Sequence, residues 1–312
     1  MRPTRRGAAS ERAAAGRRVV AAGRMRLLIV SGLSGSGKSV ALNMLEDLGW
    51  YCIDNIPAGL LNAFISHTVR GANRAYERTA VGLDARNEPS EIEAVPELAR
   101  ELRASGIACE IIYLHADEAV LLRRYGETRR RHPLARAGGD LRAAIAEERQ
   151  LLVPITYAAD LVIDTSHSSV HELREIMRGR VEQRRSDRLS IMFESFGYKN
   201  GIPGDADFAF DARSLPNPYW DATLRPLTGR DPAVAAFLDG EPSVRDLLAD
   251  ITAFLERRIP LYQQNNRAYL TVAIGCTGGQ HRSVYLVERL AAHFAAHYPQ
   301  VSARHGGLDR NA

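Results

Sequence analysis

The segment from Gly32 to Ser39 places the strongest constraint on how this chain can fold. It matches the pattern G-x-x-x-x-G-K-[ST], with an apolar run, Arg26–Val30, before it and a helical pattern, Val40–Leu48, after it. Glycines between a strand and a helix let the backbone turn its N–H groups inward, and the helix N-terminus adds partial positive charge. The segment therefore predicts a phosphate-binding loop in an α/β domain.

Every residue of this loop is a candidate for binding ATP. Lys38 is expected to reach the β- and γ-phosphates and Ser39 to ligate Mg²⁺, which makes these two the candidate catalytic residues. Asp54 and Asp117, which each follow a later apolar run, are further candidates for Mg²⁺, and Asp117 fits a helix cap equally well. The ATP-binding candidates are Gly32, Leu33, Ser34, Gly35, Ser36, Gly37, Lys38 and Ser39.

Short apolar runs alternate with helical patterns through residues 25–184. This alternation predicts a parallel sheet with helices on both faces, as in P-loop NTPases and kinases. The predicted strands are Arg26–Val30, Trp50–Ile53, Thr79–Leu83, Glu110–Leu114 and Leu161–Ile163. The predicted helices are Lys38–Leu48, Ala58–Val69, Ile92–Arg103 and Val170–Glu182, with capping boxes at Ser90 and Ser169.

The polar, basic stretch Gln183–Arg188 lacks periodicity and predicts a boundary between a P-loop domain, residues 25–184, and a C-terminal α/β domain, residues 189–312. Residues 1–24 carry seven arginines and one glutamate, whereas the whole chain has a net charge of +4, so the remainder is net negative. The basic pI is therefore no indication of nucleic-acid binding by the folded body. We interpret residues 1–24 as a disordered leader or a mis-assigned start.

The three cysteines are odd in number and widely spaced, which argues against a disulfide framework and suits the cytoplasm. No apolar run approaches the roughly 20 residues that span a bilayer. Four consecutive residues, Arg129 to His132, form a basic cluster that fits a phosphate-covering lid, an RNA contact or a solvated face. The absence of an NKxD motif argues against an ordinary regulatory GTPase.

A second glycine turn follows the apolar run Tyr269–Gly275 and precedes a helical pattern from Val284. This order predicts another anion site, in which Arg282 supplies a planar cationic fork and Cys276 gains thiolate character. The spacing C-x5-R also fits a cysteine-dependent phosphatase, although no aspartate can be assigned as its general acid. The candidate residues of the turn are Cys276, Thr277, Gly278, Gly279, His281, Arg282 and Ser283.

Two stretches upstream of this turn, Phe193–Pro203 and Asp211–Pro218, are dense in glycine, proline, asparagine and charge. We expect both to be loops, either functional or ordinary surface loops. Their composition alone does not indicate a reaction.

From Met25 to about His305 the chain resembles the RapZ/YvcJ family of bacterial P-loop nucleotide-binding proteins. The motifs that carry the resemblance are long and occur in order. They are GLSGSGKSVAL (Gly32–Leu42), YCIDNIP (Tyr51–Pro57), DARN (Asp84–Asn87), ADLVIDTS (Ala159–Ser166), FESFGYKNGIP (Phe193–Pro203), LPNPYW (Leu215–Trp220), LRPLTG (Leu224–Gly229) and YLTVAIGCTGGQHRSVYLVE (Tyr269–Glu288).

The resemblance implies binding of ATP and GTP, with weak ATPase and GTPase activity, in a regulatory protein. It assigns GTP to Asp84, Ala85, Arg86 and Asn87. It further implies sensing of glucosamine-6-phosphate by the C-terminal domain and binding of small RNA and an RNase. We also expect the chain to form a homo-oligomer. Asn200 stands where some members place a ligand-contacting histidine, and the basic C-terminal tail of the RNA adapters is absent.

Three classes of function follow from these features. The leading one is a nucleotide-dependent regulator with slow hydrolysis, because no residue stands out as a strong general base. The second is a P-loop kinase acting on a small metabolite, with Arg129–Arg131 as its lid. The third is an RNA-binding adapter, in which a bound nucleotide serves only the structure of the protein.

Overall fold

The computed structural model describes residues 25–71, 74–128, 131–135, 140–182, 188–265 and 267–308. The predicted leader, residues 1–24, and two members of the arginine cluster, Arg129 and Arg130, lie outside the described residues. The described residues divide into two compact units, with the division between Arg178 and Gly179. Each helix in these ranges is too short or too polar to cross a membrane.

Strands and helices alternate through the first unit. Its elements are β1 (Arg26–Gly32), α1 (Lys38–Asp47), β2 (Tyr51–Ile53), α2 (Ala58–Gly71), β3 (Arg78–Gly82), α3 (Pro89–Ala104), β4 (Ala108–His115), α4 (Glu118–Thr128), α5 (Leu141–Leu151), α6 (Val153–Ala158), β5 (Leu161–Asp164) and α7 (Val170–Ile176). A π-type turn, Met177–Glu182, continues from α7.

The five strands form a parallel sheet in the order β2-β3-β1-β4-β5. Four consecutive residues of β1, Leu27 to Val30, are fully buried, which requires both faces of the sheet to be covered. The predicted fold class is therefore confirmed. Because the strands are parallel, the loops that follow β1 and β3 leave the same edge of the sheet, side by side.

The second unit contains another parallel sheet, in the order β7-β8-β6-β9. Its elements are β6 (Ser190–Gly197), β7 (Phe208–Asp211), α8 (Pro232–Gly240), α9 (Pro242–Gln264), β8 (Tyr269–Cys276), α10 (Arg282–Ala295) and β9 (Val301–His305). All residues of the two central strands, β6 and β8, are buried. The C-terminal α/β fold is thus confirmed as well.

Two local predictions were wrong. Residues 193–197, expected to be a loop, belong to the buried strand β6, where the polar Ser195 hydrogen bonds His305 of β9. The capping box expected at Ser90 is absent, because α3 begins at Pro89, whose fixed φ suits the first helical position. The capping box at Ser169 is confirmed: its Oγ accepts the backbone N–H of Glu172, whose carboxylate accepts the N–H of Ser169.

Candidate phosphate-binding sites

The glycine-rich loop after β1 adopts a backbone that only glycine tolerates at several positions. Gly35 and Gly37 have φ values of 90° and 105°, in the left-handed region. A Cβ on Gly32 would lie 2.3 Å from the carbonyl oxygen of Leu114 in β4. Helix α1 then begins at Lys38, and the N–H groups of its first turn have no intrahelical partners, which leaves them available to an anion.

Lys38 lies between two carboxylates at the mouth of this loop. Its Nζ is 2.9 Å from Oδ2 of Asp84, which follows β3, and 3.4 Å from Oδ1 of Asp54, which follows β2. The Nε of Arg86 donates to both Asp84 oxygens, and its Nη2 donates to Oδ2 at 2.6 Å. Burial acts to raise the pKa of Asp84, but the hydrogen bonds from Arg86 and the charge of Lys38 outweigh it and lower the pKa to about 2.

A single cavity of about 900 Å³ is lined by all eight loop residues together with Asp54, Asp84 and Arg86. The structure therefore brings part of the segment expected to bind GTP to the loop expected to bind ATP. The other two members of that segment have different surroundings. Ala85 is buried, and Asn87 Oδ1 accepts the N–H of Ala58 at 2.7 Å, at the start of α2.

The oxygen donors in this cavity fit Mg²⁺, which prefers carboxylate and hydroxyl ligands alongside phosphate. Ser39, Asp54 and Asp84 all line the cavity, so they are the residues that would hold the ion. Asp117 is not among the lining residues. It directly precedes α4, and its carbonyl accepts the N–H of Leu121, in agreement with the helix-cap alternative.

Several residues that join the phosphate loop to distant elements were missed from the sequence. Arg124 of α4 donates to the carbonyl oxygens of Gly35 and Thr165, and Thr165 Oγ1 donates to that of Ser36, at 2.8 Å. Glu148 of α5 accepts the N–H and the hydroxyl of Ser34. Arg124, Glu148 and Thr165 are 89 to 129 residues away from the loop residues that they contact, so no local pattern could indicate them.

His132 and Arg131, the described members of the basic cluster, have opposite environments. Arg131 is exposed and lines the cavity, whereas the His132 ring is completely buried, with Nε2 3.0 Å from Glu148 Oε2. Of the three alternatives for the cluster, a solvated face does not hold for His132, because its ring is buried with the carboxylate of Glu148 as hydrogen-bond partner.

The second glycine turn surrounds the sulfur of Cys276 with donors. Cys276 ends β8, and its Sγ accepts the N–H of Gly279 at 3.3 Å and lies 3.2 Å from Ser283 Oγ in α10. Burial acts to raise the pKa of Cys276, but the hydrogen bonds from Ser283 and Gly279 outweigh it and lower the pKa below its ordinary value. A Cβ on Gly279, whose φ is 76°, would lie 2.7 Å from the backbone nitrogen of Gly197.

Arg282, at the first position of α10, is buried against backbone carbonyls. Its Nη1 donates to the carbonyl oxygens of Arg213 and Leu215, both at 2.9 Å, and Nη2 to Thr277 Oγ1 at 3.4 Å. Among the residues that the structure describes, its Nε has no hydrogen-bond partner although it is buried. The Nη1 group of the guanidinium therefore holds the loop that follows β7. The Nε–H group is left to donate to a ligand.

The remaining predicted residues of this site lie around the same turn. Asn200 ends a 3₁₀ turn, and the N–H of the preceding residue, Lys199, donates to Thr277 O at 3.4 Å. Gly278 packs against Gly197 of β6, where any Cβ would lie 2.8 Å from the Gly278 carbonyl carbon. His281 is buried, with Nε2 3.3 Å from the carbonyl oxygen of Arg225.

Together, the parallel sheet, the glycine loop and the cationic first turn of α1 define the first unit as a P-loop domain. Comparison with protein families gives the particular assignment. Residues 25–185 match the RapZ-like N-terminal domain and residues 189–309 match the RapZ C-terminal domain. The chain belongs to the RapZ family, as the sequence motifs predicted.

Similar proteins span nearly the same length. A nucleotide-binding protein of Thioalkalivibrio sulfidiphilus is 53% identical over 91% of this chain and 100% of its own. One of Alkalilimnicola ehrlichii is 51% identical over 92% of this chain and 99% of its own. Among solved structures, a gluconokinase from Sinorhizobium meliloti aligns with 49% of this chain and 89% of its own, at 18% identity and a TM-score of 0.32.

Proposed function

We propose that this protein binds ATP and GTP, with Mg²⁺, at one site in the cavity that the phosphate loop and Asp84 share. The observation that carries the proposal is the convergence of Gly32–Ser39 with Asp84 and Arg86 on that cavity. The names of the relatives, which describe nucleotide-binding proteins, support it. Lys38 would contact the β- and γ-phosphates, while Ser39 and Asp84 would hold the ion directly or through water.

We infer slow hydrolysis and a regulatory role. Asp84, the buried carboxylate beside Lys38, accepts hydrogen bonds from Lys38 and Arg86, and its pKa of about 2 makes it a weak proton acceptor. A P-loop kinase acting on a small metabolite is the alternative, and the exposed Arg86 and Arg131 of the cavity would suit an anionic acceptor. Nucleotide turnover that rises manyfold with one added metabolite would favour the kinase.

Substituting Lys38 with alanine tests the nucleotide site. We expect at least a tenfold loss of ATP and GTP affinity by calorimetry, because a charge-assisted hydrogen bond contributes roughly 1.5–3 kcal/mol. The removal also leaves Asp54 and Asp84 to repel the phosphates. The chain's only other lysine, the exposed Lys199, supplies the control: Lys199→Ala should bind both nucleotides normally.

A competition titration tests whether the site is single. ATP and GTP should displace one another, with one nucleotide bound per chain at saturation. Simultaneous binding of both nucleotides would contradict a shared cavity, and an unchanged affinity in Lys38→Ala would contradict the site itself.

For the C-terminal unit we propose a sugar-phosphate sensor that takes glucosamine-6-phosphate at the turn Cys276–Ser283. The free Nε of Arg282 and the N-terminus of α10 supply donors for a phosphate. A phosphatase is the second candidate, favoured by the hydrogen bonds that lower the pKa of Cys276. Hydrolysis of an aryl phosphate that Cys276→Ser abolishes would favour the phosphatase. Binding of the sugar phosphate, but not of glucosamine, that survives Cys276→Ser would favour the sensor.

The remaining partners follow from family membership and stay proposals. They are a small RNA, an RNase and a second copy of the chain, in the cytoplasm. An RNA complex whose affinity falls steeply with salt, and an oligomer detected by light scattering, would support them.

A further inference from the structure

A buried acid and a buried histidine lie behind the phosphate loop and take no part in the contacts expected with nucleotide. Glu148 belongs to α5 and His132 to the segment Arg131–Leu134, and neither side chain has any exposed surface. Their contact, 3.0 Å from Nε2 to Oε2, is one of several that converge on this carboxylate.

The hydrogen bonds of His132 define the orientation of its ring. The N–H of Leu134 donates to Nδ1 at 3.2 Å, so Nδ1 is an acceptor. Nε2 then donates to Glu148. Both ring nitrogens therefore have a partner, which fixes the orientation of the imidazole.

Glu148 uses its two oxygens to hold Ser34, a residue of the phosphate loop. Oε2 accepts the backbone N–H of Ser34 at 2.9 Å, and Oε1 accepts its hydroxyl at 2.7 Å. Among the described residues, no lysine or arginine forms an ion pair with Glu148. Burying a carboxylate without a lysine or arginine partner is costly, and an apolar side chain would fill the space without that cost. Stability alone therefore does not account for this residue.

The contacts that link Ser34, Glu148 and His132, here called the network, bear on the position of Arg131, the residue next to His132. Arg131 is exposed and lines the cavity that the phosphate loop forms, as does Pro133. The contacts from Ser34 through Glu148 to His132 therefore fix the position of the backbone at Arg131 relative to the phosphate loop. A guanidinium at this place is permanently charged and can donate two hydrogen bonds to a phosphate.

We propose that Glu148 and His132 are positioning residues of the nucleotide site, which hold Arg131 so that its charge acts on the bound triphosphate. This inference rests on the proposed nucleotide-binding function. It assigns a role to two side chains that do not line the cavity, and it makes Arg131 the residue through which they act.

A double-mutant cycle on the full chain tests this role, with kcat/KM for Mg²⁺-ATP hydrolysis as the measurement. Arg131→Ala and His132→Asn should each lower kcat/KM about tenfold, and the double variant should fall no further, because both changes remove the same interaction. Arg123→Ala is the matched control. Arg123 is an arginine that lines the same cavity but is not attached to the network, so its effect should multiply with that of His132→Asn.

The glutamine variant separates positioning from general packing. The amide of His132→Gln reaches the position of Nε2 and can donate to Glu148, so it should recover most of the activity that His132→Asn loses. If His132→Asn does not fold, Glu148→Gln takes its place in the cycle. The amide of Glu148→Gln has the shape of the carboxylate. Its NH₂ group, however, would face one of the groups that donate to Glu148, so that hydrogen bond would be lost.

Two results would overturn the inference: effects of Arg131→Ala and His132→Asn that multiply, or an unchanged kcat/KM in Arg131→Ala, whose exposed side chain is not needed for folding. Nucleotide binding by the wild-type chain separates this failure from failure of the proposed function. If wild type binds and hydrolyses ATP but the cycle is multiplicative, only the positioning role is wrong. If wild type binds no nucleotide, the proposed function itself is wrong.

Discussion

At the scale of single residues, the three cysteines illustrate how position determines chemistry. Burial, reinforced by Glu46, raises the pKa of Cys52 to about 11, and burial raises that of Cys109 to about 12 against the attraction of Arg103. Cys276 is just as buried as Cys109, yet donors from the turn and from α10 lower its pKa below the ordinary value. The identity of the residue alone could not distinguish these three cases.

This difference predicts the order in which the thiols ionise. In a pH titration followed by the ultraviolet absorbance of the thiolate, one cysteine should ionise below the usual cysteine range and the other two well above it. Cys276→Ser should remove the first step and leave the rest. Cys52→Ser is the control and should retain it, and a low-pH step that survives in Cys276→Ser would contradict the assignment.

At the scale of elements, the sequence predicted what depends on local pattern. The strand, loop and helix around Gly32–Ser39 were predicted because their signals stand in one continuous stretch of sequence. These signals are the apolar run of a strand buried on both faces, the glycines and the lysine. Strand β6 was not predicted, because it contains the polar residues Glu194 and Ser195. These are buried against Arg304 and His305, which lie more than 100 residues away in the chain.

The sequence D-A-R occurs at the ends of two different strands with the same side-chain geometry. Asp84 accepts three hydrogen bonds from the Arg86 guanidinium, and Asp211 accepts three from that of Arg213. Each motif lies at the C-terminal end of a strand, β3 or β7, that pairs with the strand leading into a glycine turn. The repetition of letters was available in the sequence, but its relation to the two glycine turns depends on the strand order, which no local pattern specifies.

The capping box of α7 links the stability of a helix to the nucleotide site. Ser169, Val170 and Leu173 line the cavity, and Leu173 packs so closely that a Cβ on Gly37 would lie 2.9 Å from its Cδ2. Ser169→Ala should destabilise the protein by about 1 kcal/mol. It should also weaken ATP binding severalfold, because the first turn of α7 would fray at the cavity.

Thermal unfolding and calorimetry on the same variants check both effects. Ser169→Thr keeps a hydroxyl acceptor at the cap, so it should retain most of the stability and the affinity. A Ser169→Ala protein with the wild-type Tm would show that the cap does not stabilise α7.

At the scale of the whole molecule, the compact units divide between Arg178 and Gly179, whereas the sequence predicts a domain boundary in the polar stretch Gln183–Arg188. Arg180 and Val181 belong to the second unit, and both are buried. Arg180 donates to Thr271 Oγ1 at 2.8 Å and to Leu270 O at 3.4 Å, and its guanidinium lies 5.2 Å from the centre of the Tyr269 ring. A buried arginine cannot be recognised from the polar sequence around it, because its partners are supplied by β8.

Two fragments of the second unit should differ in stability. Residues 179–312 keep Arg180 and Val181, whereas residues 189–312 lose them and leave Thr271 without the side-chain donor it has in the full chain. We expect the shorter fragment to be less stable by about 2–3 kcal/mol, through lost burial and a broken buried hydrogen bond. For about 130 residues this lowers Tm by roughly 10 °C.

Two variants of the longer fragment identify the cause. Arg180→Met retains apolar packing but no donor, so its Tm should lie between those of the two fragments. Arg257→Ala removes an exposed arginine of α9 and should leave Tm unchanged. Equal melting temperatures for residues 179–312 and 189–312 would mean that the π-type turn adds nothing to the second unit, and that the boundary lies in the polar stretch after all.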